Sequence, residues 1–228
     1  MLPTGLDVLS ATLENRLPPS STQISPRAVD MIVQFEVSDE KLYSARYQSP
    51  TWPGGDSGVT IGIGYDIGYI SKSFFKDDWQ GLLPDDVIDK LSNMCGIKGG
   101  SARELIDSLR AIKIDWVTAQ TQFLKRDLPL YIADTEAALK NTNLLPSDSM
   151  GAIVSLVYNR GASFSATDGN HAEMRNIKAH MANKEFSKIA DEFRAMKYLW
   201  DADHKNLPGL ITRRELEALL FEHGLATA

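Results

Sequence analysis

The stretch SGVTIGIGYDIG, Ser57–Gly68, decides how this chain is read, because it sets glycines at alternate positions of a run otherwise made of strand-forming residues. With a period of two, Ile61, Ile63 and Tyr65 fall on one face and Thr60, Gly62 and Gly64 on the other. The expectation is a strand with one apolar face and one face of nearly bare backbone. Glycine weakens a strand, so its presence calls for a reason, usually a bulge or the close approach of another group to the backbone. A bulged hairpin strand in a core is the plainer alternative.

Working outward, residues 1–25 mix a weak apolar pattern with PPSST and read as an arm or docking segment ahead of a folded domain over residues 26–228. Ser25-Pro26 is a helix start, a serine cap followed by proline at the first helical position, and the helix PRAVDMIVQFEVSDEKL follows. YQSPTWPGGDSG is loop and leads into the strand at Val59. Beyond it the periodicity predicts helices at PDDVIDKLSNM and SARELIDSLRAI, then a long run from Asp115 to Lys140 interrupted at Pro129. SDSMGAIVSLVYNRG, EMRNIKAHMA, NKEFSKIADEFRAM and ITRRELEALLFEHG complete the set. A small strand-bearing N-terminal part followed by many helices indicates an α+β fold that is predominantly α-helical.

The 228 residues, 43% of them hydrophobic, suffice for one well-cored domain. A net charge of -6 gives no overall attraction to nucleic acid or to anionic lipid. The four histidines are scattered and there is no cysteine cluster, so neither a metal nor another cofactor is expected, and the single Cys95 cannot form an internal disulfide. Apolar runs such as GAIVSLVY are too short to span a bilayer, and the first positive side chain, Arg16, comes too late for a standard signal peptide.

Two charges sit on apolar stripes. Val29, Ile32 and Val33 cluster on one face of the first helix, and Glu36 falls between them. A carboxyl drawn toward an apolar face is in the setting where a side chain can hold a proton and act as a general acid. Alternatively the helix ends near Phe35 and Glu36 is a solvated terminal residue. In the last helix Leu210, Arg214, Ala218 and Phe221 form a stripe with an arginine inside it, which should face inward and needs a partner. Glu36 could be that partner; pairing with Glu215 or Glu217, or snorkelling to the surface, is the alternative. The loop adds Asp56 just ahead of Thr60. A protonated Glu with an Asp and a Thr hydroxyl beside a glycine-lined surface suits the splitting of a glycosidic bond, and Trp52, Tyr47 and Tyr65 offer stacking surfaces for a sugar.

A helix ending in Glu, a loop, then Asp near TIGIGY resembles the phage-type lysozymes, glycoside hydrolase family twenty-four. GVTIGIGYDIG resembles still more the pesticin-like muramidase domain of bacterial toxins and effectors. LVYNRGASF is similar to the family's aromatic-Asn-x-Gly turn, and LPGLITRRELEALLF to its C-terminal helix. The resemblance implies a bilobed lysozyme-like fold with a small β-containing N-terminal lobe and a helical C-terminal lobe. It also implies hydrolysis of the β-1,4 bond between N-acetylmuramic acid and N-acetylglucosamine in peptidoglycan glycan strands. By motif, Glu36 takes the general acid role, Asp56 that of second carboxylate, and Thr60 helps hold the attacking water. Gly62, Gly64, Tyr65, Trp52 and Asn159 would bind substrate, and Arg214 falls where the family pairs an arginine with the catalytic Glu.

Glu36 and Thr60 stand farther apart than in compact phage lysozymes, which leaves Asp66 and Asp39 open as alternatives to Asp56. Tyr65 stands where many phage enzymes have histidine. A lytic transglycosylase, which needs no water-positioning Asp, and a catalytically silent peptidoglycan-binding module are the competing functions. An antibacterial effector, toxin or phage endolysin is expected, made in the cytoplasm and acting in the periplasm or cell wall of a target bacterium. Delivery would need a secretion apparatus or phage partner, and an effector would meet a periplasmic immunity protein.

Overall fold

The computed structural model describes residues 16–201 and 207–228. They divide into two compact units, one of residues 16–18 with Glu36–Leu128 and one of Pro19–Phe35 with Pro129–Ala228. Of the arm expected over residues 1–25, residues 1–15 lie outside the described ones. Residues 19–25 carry no helix or strand and are tied to the second unit by backbone and side chain. Ser20 N–H donates to the Pro129 carbonyl at 3.0 Å and the Thr22 hydroxyl to Glu136 at 2.6 Å.

Helix α1, Pro26–Val37, starts as Ser25-Pro26 dictates: the Ser25 hydroxyl accepts the Ala28 N–H at 3.1 Å. Its expected continuation to Leu42 fails at Ser38, whose φ of 69° takes the backbone out of the right-handed helix. Asp39 then caps a separate turn, Glu40–Leu42, by accepting the Leu42 N–H at 2.7 Å, and the chain winds on through a wide turn at Tyr43–Tyr47. Glu36 is thereby the penultimate residue of α1.

The glycine-bearing stretch is not one strand but a hairpin. Strands β1, Thr60–Ile61, and β2, Tyr65–Asp66, pair antiparallel with Thr60 opposite Asp66 and Ile61 opposite Tyr65. Gly62-Ile63-Gly64 is the turn between them, with φ of 56° at Gly62 and 73° at Gly64, a region that L side chains avoid. Close approach is the second reason for glycine. A Cβ on Gly64 would lie 2.9 Å from Glu36 Oε2, and one on Gly62 would lie 3.0 Å from the Trp79 ring. Ile61, Ile63 and Tyr65 remain buried, as the alternation requires.

Helix α2, Lys72–Trp79, was not marked by periodicity. Ser71 caps it, accepting the Phe74 N–H at 3.3 Å, and it buries Phe75 and Trp79 completely against Tyr65, whose ring meets Trp79 edge-on at 5.6 Å. Helices α3, Asp85–Ser92, α4, Gly99–Leu109, and α5, Trp116–Gln122, complete the first unit. The run expected from Asp115 to Lys140 is interrupted just ahead of Pro129, by a wide turn at Phe123–Asp127, before α6 at Leu128–Ala138.

In the second unit α7, Ser147–Arg160, is buried on every face from Asp148 to Tyr158 and forms the axis of the core. Around it stand α8, Ala172–Asn183, α9, Ile189–Ala195, and α10, Pro208–Ala226, which bury Ile177, Phe193 and Phe221. Each such side chain contributes about 1.5–3 kcal/mol. The first turn of α1 crosses α7 so closely that a Cβ on Gly151 would lie 2.2 Å from that of Ala28. At the other end of α10, His223 Nδ1 lies 2.6 Å from the Asp148 carboxylate.

Burial alone would raise the Asp148 pKa, but hydrogen bonds from Ser25 and His223 and the charges of His223 and Arg27 outweigh it and hold the carboxyl below its usual range. A lowered folded pKa means stability present above the unfolded value and lost as pH falls through the folded one. Asp148→Asn should therefore cost about 1–2 kcal/mol at neutral pH, and its unfolding curve should merge with that of the wild type in acid below about pH 4. Gly64→Ala should cost about 1–3 kcal/mol in denaturant unfolding, through its positive φ alone, before the clash with Glu36 is counted.

Candidate active site

The first unit holds a cavity of about 480 Å³ whose walls include Glu36, Trp52, Thr60, Gly62, Gly64 and Asp66. Three local features bring these groups together. The end of α1 delivers Glu36, half-buried, onto the bare backbone of Gly64. Strand β1 presents Thr60, held by reciprocal backbone hydrogen bonds with Thr51 at 2.8 and 2.9 Å. The Thr60 hydroxyl is buried and has no hydrogen-bond partner among the described residues, so its donor and acceptor are available to a ligand.

Strand β2 presents Asp66, and its carboxylate sits in a cradle of backbone amides. It accepts the Gly58 N–H at 3.0 and 3.1 Å and the Gly68 N–H at 2.9 Å. Burial pushes this carboxyl above the ordinary aspartate range, although the two amides and nearby Lys98 pull the other way. Gly58 and Gly68 make the cradle possible, since a Cβ on Gly58 would lie 2.4 Å from the Gly68 Cα and 2.6 Å from Asp66 Oδ1. The alternation of the stretch gives no sign of either role, though both glycines lie within Ser57–Gly68.

Asp56 is exposed on the turn that closes with Ser57 N–H on the Gly54 carbonyl, and it does not line the cavity. Asp39 is engaged as the cap of Glu40–Leu42. Trp52 does line the cavity, its indole N–H donating to the Ser57 carbonyl at 3.0 Å, and Tyr47 lines it too. Tyr65 corrects the expectation of a stacking surface: it is 3% exposed, and its hydroxyl donates to Asp78 at 2.6 Å. It belongs to the core beneath the hairpin.

Asn159 and Arg214 lie in the second unit. Asn159 is the penultimate residue of α7 and has a buried Oδ1 with no partner among the described residues. Arg214 faces inward, as its stripe requires, and is fully buried. Its guanidinium donates to Glu217 at 2.7 Å and stacks over Trp200. Burial is the main cause that draws its pKa down to about 10; Glu217 opposes the shift, and Arg213 and Arg160 reinforce it. Arg213 went unmarked because it lies beside the apolar stripe rather than in it. It is 2% exposed, donates to Ser155 and Glu217, and its guanidinium lies 5.3 Å over the ring of Phe35, the residue before Glu36.

Among the described residues no group of three His, Cys, Asp or Glu is placed to hold a metal ion, and no helix is long and apolar enough to cross a membrane. The polar groups of the cavity include two carboxyls, Glu36 and Asp66, and the Thr60 hydroxyl.

Two family models match the chain. One describes a domain of unknown function (DUF8812) and covers residues 33–134, which include Glu36, Thr60 and Asp66. The other, the phage lysozyme model, covers residues 101–217, more than half of the chain. No curated protein matches it. The predominantly helical α+β fold with one short hairpin agrees with the second match, and the chain belongs to the phage lysozyme family of lysozyme-type glycoside hydrolases.

Proposed function

We propose that the protein is a muramidase that hydrolyses the β-1,4 bond between N-acetylmuramic acid and N-acetylglucosamine in peptidoglycan. The observation that carries this reading is the meeting of the Glu36 carboxyl, the buried Thr60 hydroxyl and the Asp66 carboxylate in one glycine-lined cavity. Glu36 donates its proton to the glycosidic oxygen as the bond to the anomeric carbon breaks. Water held by Thr60 and Asp66 attacks that carbon from the opposite face and gives its proton to Asp66, with inversion. The bare backbone at Gly62 and Gly64 lets a sugar lie close, and Trp52 supplies an aromatic wall.

Asp66 takes the role expected of Asp56 because it shares the cavity and is held by two amides, whereas Asp56 is exposed. A water-holding hydroxyl and carboxylate favour hydrolysis over the transglycosylase reaction, in which a single acid/base suffices. Acting on a wall polymer fits an antibacterial effector or endolysin role, with an immunity protein over the cavity as the expected partner of an effector.

Mass spectrometry of fragments released from purified peptidoglycan should show reducing muramic-acid ends with the wild type and a loss of about 100-fold or more in rate with Glu36→Gln. Anhydro-muramic ends would assign the transglycosylase reaction instead, and no release from the wild type would refute both. Asp66→Asn should cost about 100-fold, while Asp56→Asn should stay within about twofold. Because Asp66 must be ionised to accept a proton and its pKa is raised, the acid limb of the wild-type pH–rate profile should lie above about pH 4, the ordinary aspartate value.

A further inference from the structure

Asp78 is a buried carboxylate, 4% exposed, in the last turn of α2, and it has two partners on opposite oxygens. The Tyr65 hydroxyl donates to Oδ2 at 2.6 Å, and the Arg16 guanidinium donates to Oδ1 at 2.7 Å. Arg16 comes from the N-terminal segment, lies 5.2 Å over the Phe74 ring, and also feels the charge of buried Asp127. A carboxylate taken out of water needs a counter-charge as well as hydrogen bonds, and removing one partner of a buried pair leaves the other uncompensated. Among the described residues Arg16 forms the ion pair with Asp78.

Tyr65 lies between Gly64, against which Glu36 rests, and Asp66, whose carboxylate lines the cavity. Whatever fixes the Tyr65 ring fixes the part of the hairpin that carries both. We propose that Arg16 is a positioning residue of the active hairpin, acting in series through Asp78 and Tyr65 on Gly64 and Asp66. The segment ahead of α1 then belongs in part to the catalytic unit and is more than a docking arm. The consequence for activity rests on the muramidase reading; the consequence for the hairpin does not.

The test is a double-mutant cycle of Arg16→Ala and Tyr65→Phe in the full chain, with Arg16→Lys as the conservative variant. Steady-state hydrolysis of soluble peptidoglycan fragments and backbone hydrogen exchange are read on each. Arg16→Ala should lower kcat about tenfold with KM within about threefold, and should speed exchange of the Ile61 and Ile67 amides, the latter bonded to the Val59 carbonyl, about tenfold while α7 exchanges as in the wild type. Arg16→Lys should restore kcat to within about threefold by keeping the charge. Tyr65→Phe, which leaves the Arg16–Asp78 pair in place, should lower kcat similarly, and the double variant should be no worse than the worse single, because the two act in series.

Wild-type kcat and hairpin exchange in Arg16→Ala would overturn the proposal. So would additive losses in the double variant, or exchange that rises equally in both units, since either would make Arg16 a general stabiliser. Should the wild type hydrolyse nothing, the muramidase reading fails by itself and the exchange measurements alone decide the role of Arg16.

Discussion

The carboxylate of Glu36 rests against the backbone of Gly64, at a distance that leaves no room for a side chain. Much of the first unit follows from that contact. The helix carrying Glu36 must stop soon after it, and Ser38 stops it with a left-handed backbone. The hairpin must present bare backbone at its turn, so Gly62 and Gly64 stand there with positive φ. The apolar residues of the same stretch must then face the other way: Ile61, Ile63 and Tyr65 are buried, with the Tyr65 ring against Phe75 and Trp79. One steric constraint therefore links the end of a helix, the shape of a turn and the composition of the core beneath it.

Electrostatics in the two units solve different problems. In the first, Asp66 is half-buried yet stays accessible, and neutral amides from Gly58 and Gly68 hold it without removing its capacity to bind a proton. In the second, Arg213 and Arg214 are withdrawn from water altogether and converge on Glu217, with Ser155 completing the set. Two arginines on one carboxylate form a charged core inside an apolar one. Such a cluster is costly to bury and intolerant of losing a member, which gives the α7–α10 packing a specificity that Phe193 and Phe221 alone could not supply.

Much of this was legible in the sequence where a single local rule decides. The Ser25-Pro26 start and the helices of the second unit follow from capping and apolar period, and the inward turn of Arg214 follows from its place in the stripe. Legibility failed where two rules compete. Period two made Val59–Tyr65 read as one strand, but strand and tight hairpin share that alternation, and only the positive φ at Gly62 and Gly64 separates them. Helix α2 was missed because KSFFKDDW puts a buried Asp78 where an apolar residue is expected, a position explained only by distant Tyr65 and Arg16. For the same reason Tyr65 read as a sugar platform when its hydroxyl is spent inside the core. Asp56 and Asp66 could not be ranked from spacing, because the cradle that holds Asp66 depends on two glycine backbones meeting across the loop.

The order in which the two units occupy the chain bears on how it is made. Glu36–Leu128 is continuous in sequence, whereas the second unit is split into Pro19–Phe35 and Pro129–Ala228. A chain emerging from the ribosome can therefore assemble the hairpin and its helices while most of the second unit, Pro129–Ala228, is still unsynthesised. Helix α1 has no such opportunity: Ala28 must wait for Gly151, and the Ser25 and Arg27 side chains must wait for Asp148 and His223. Helix α1 thus lacks its packing partners until α7 and α10 have been made, and its docking couples Ser25, Arg27 and Ala28 to Asp148, Gly151 and His223.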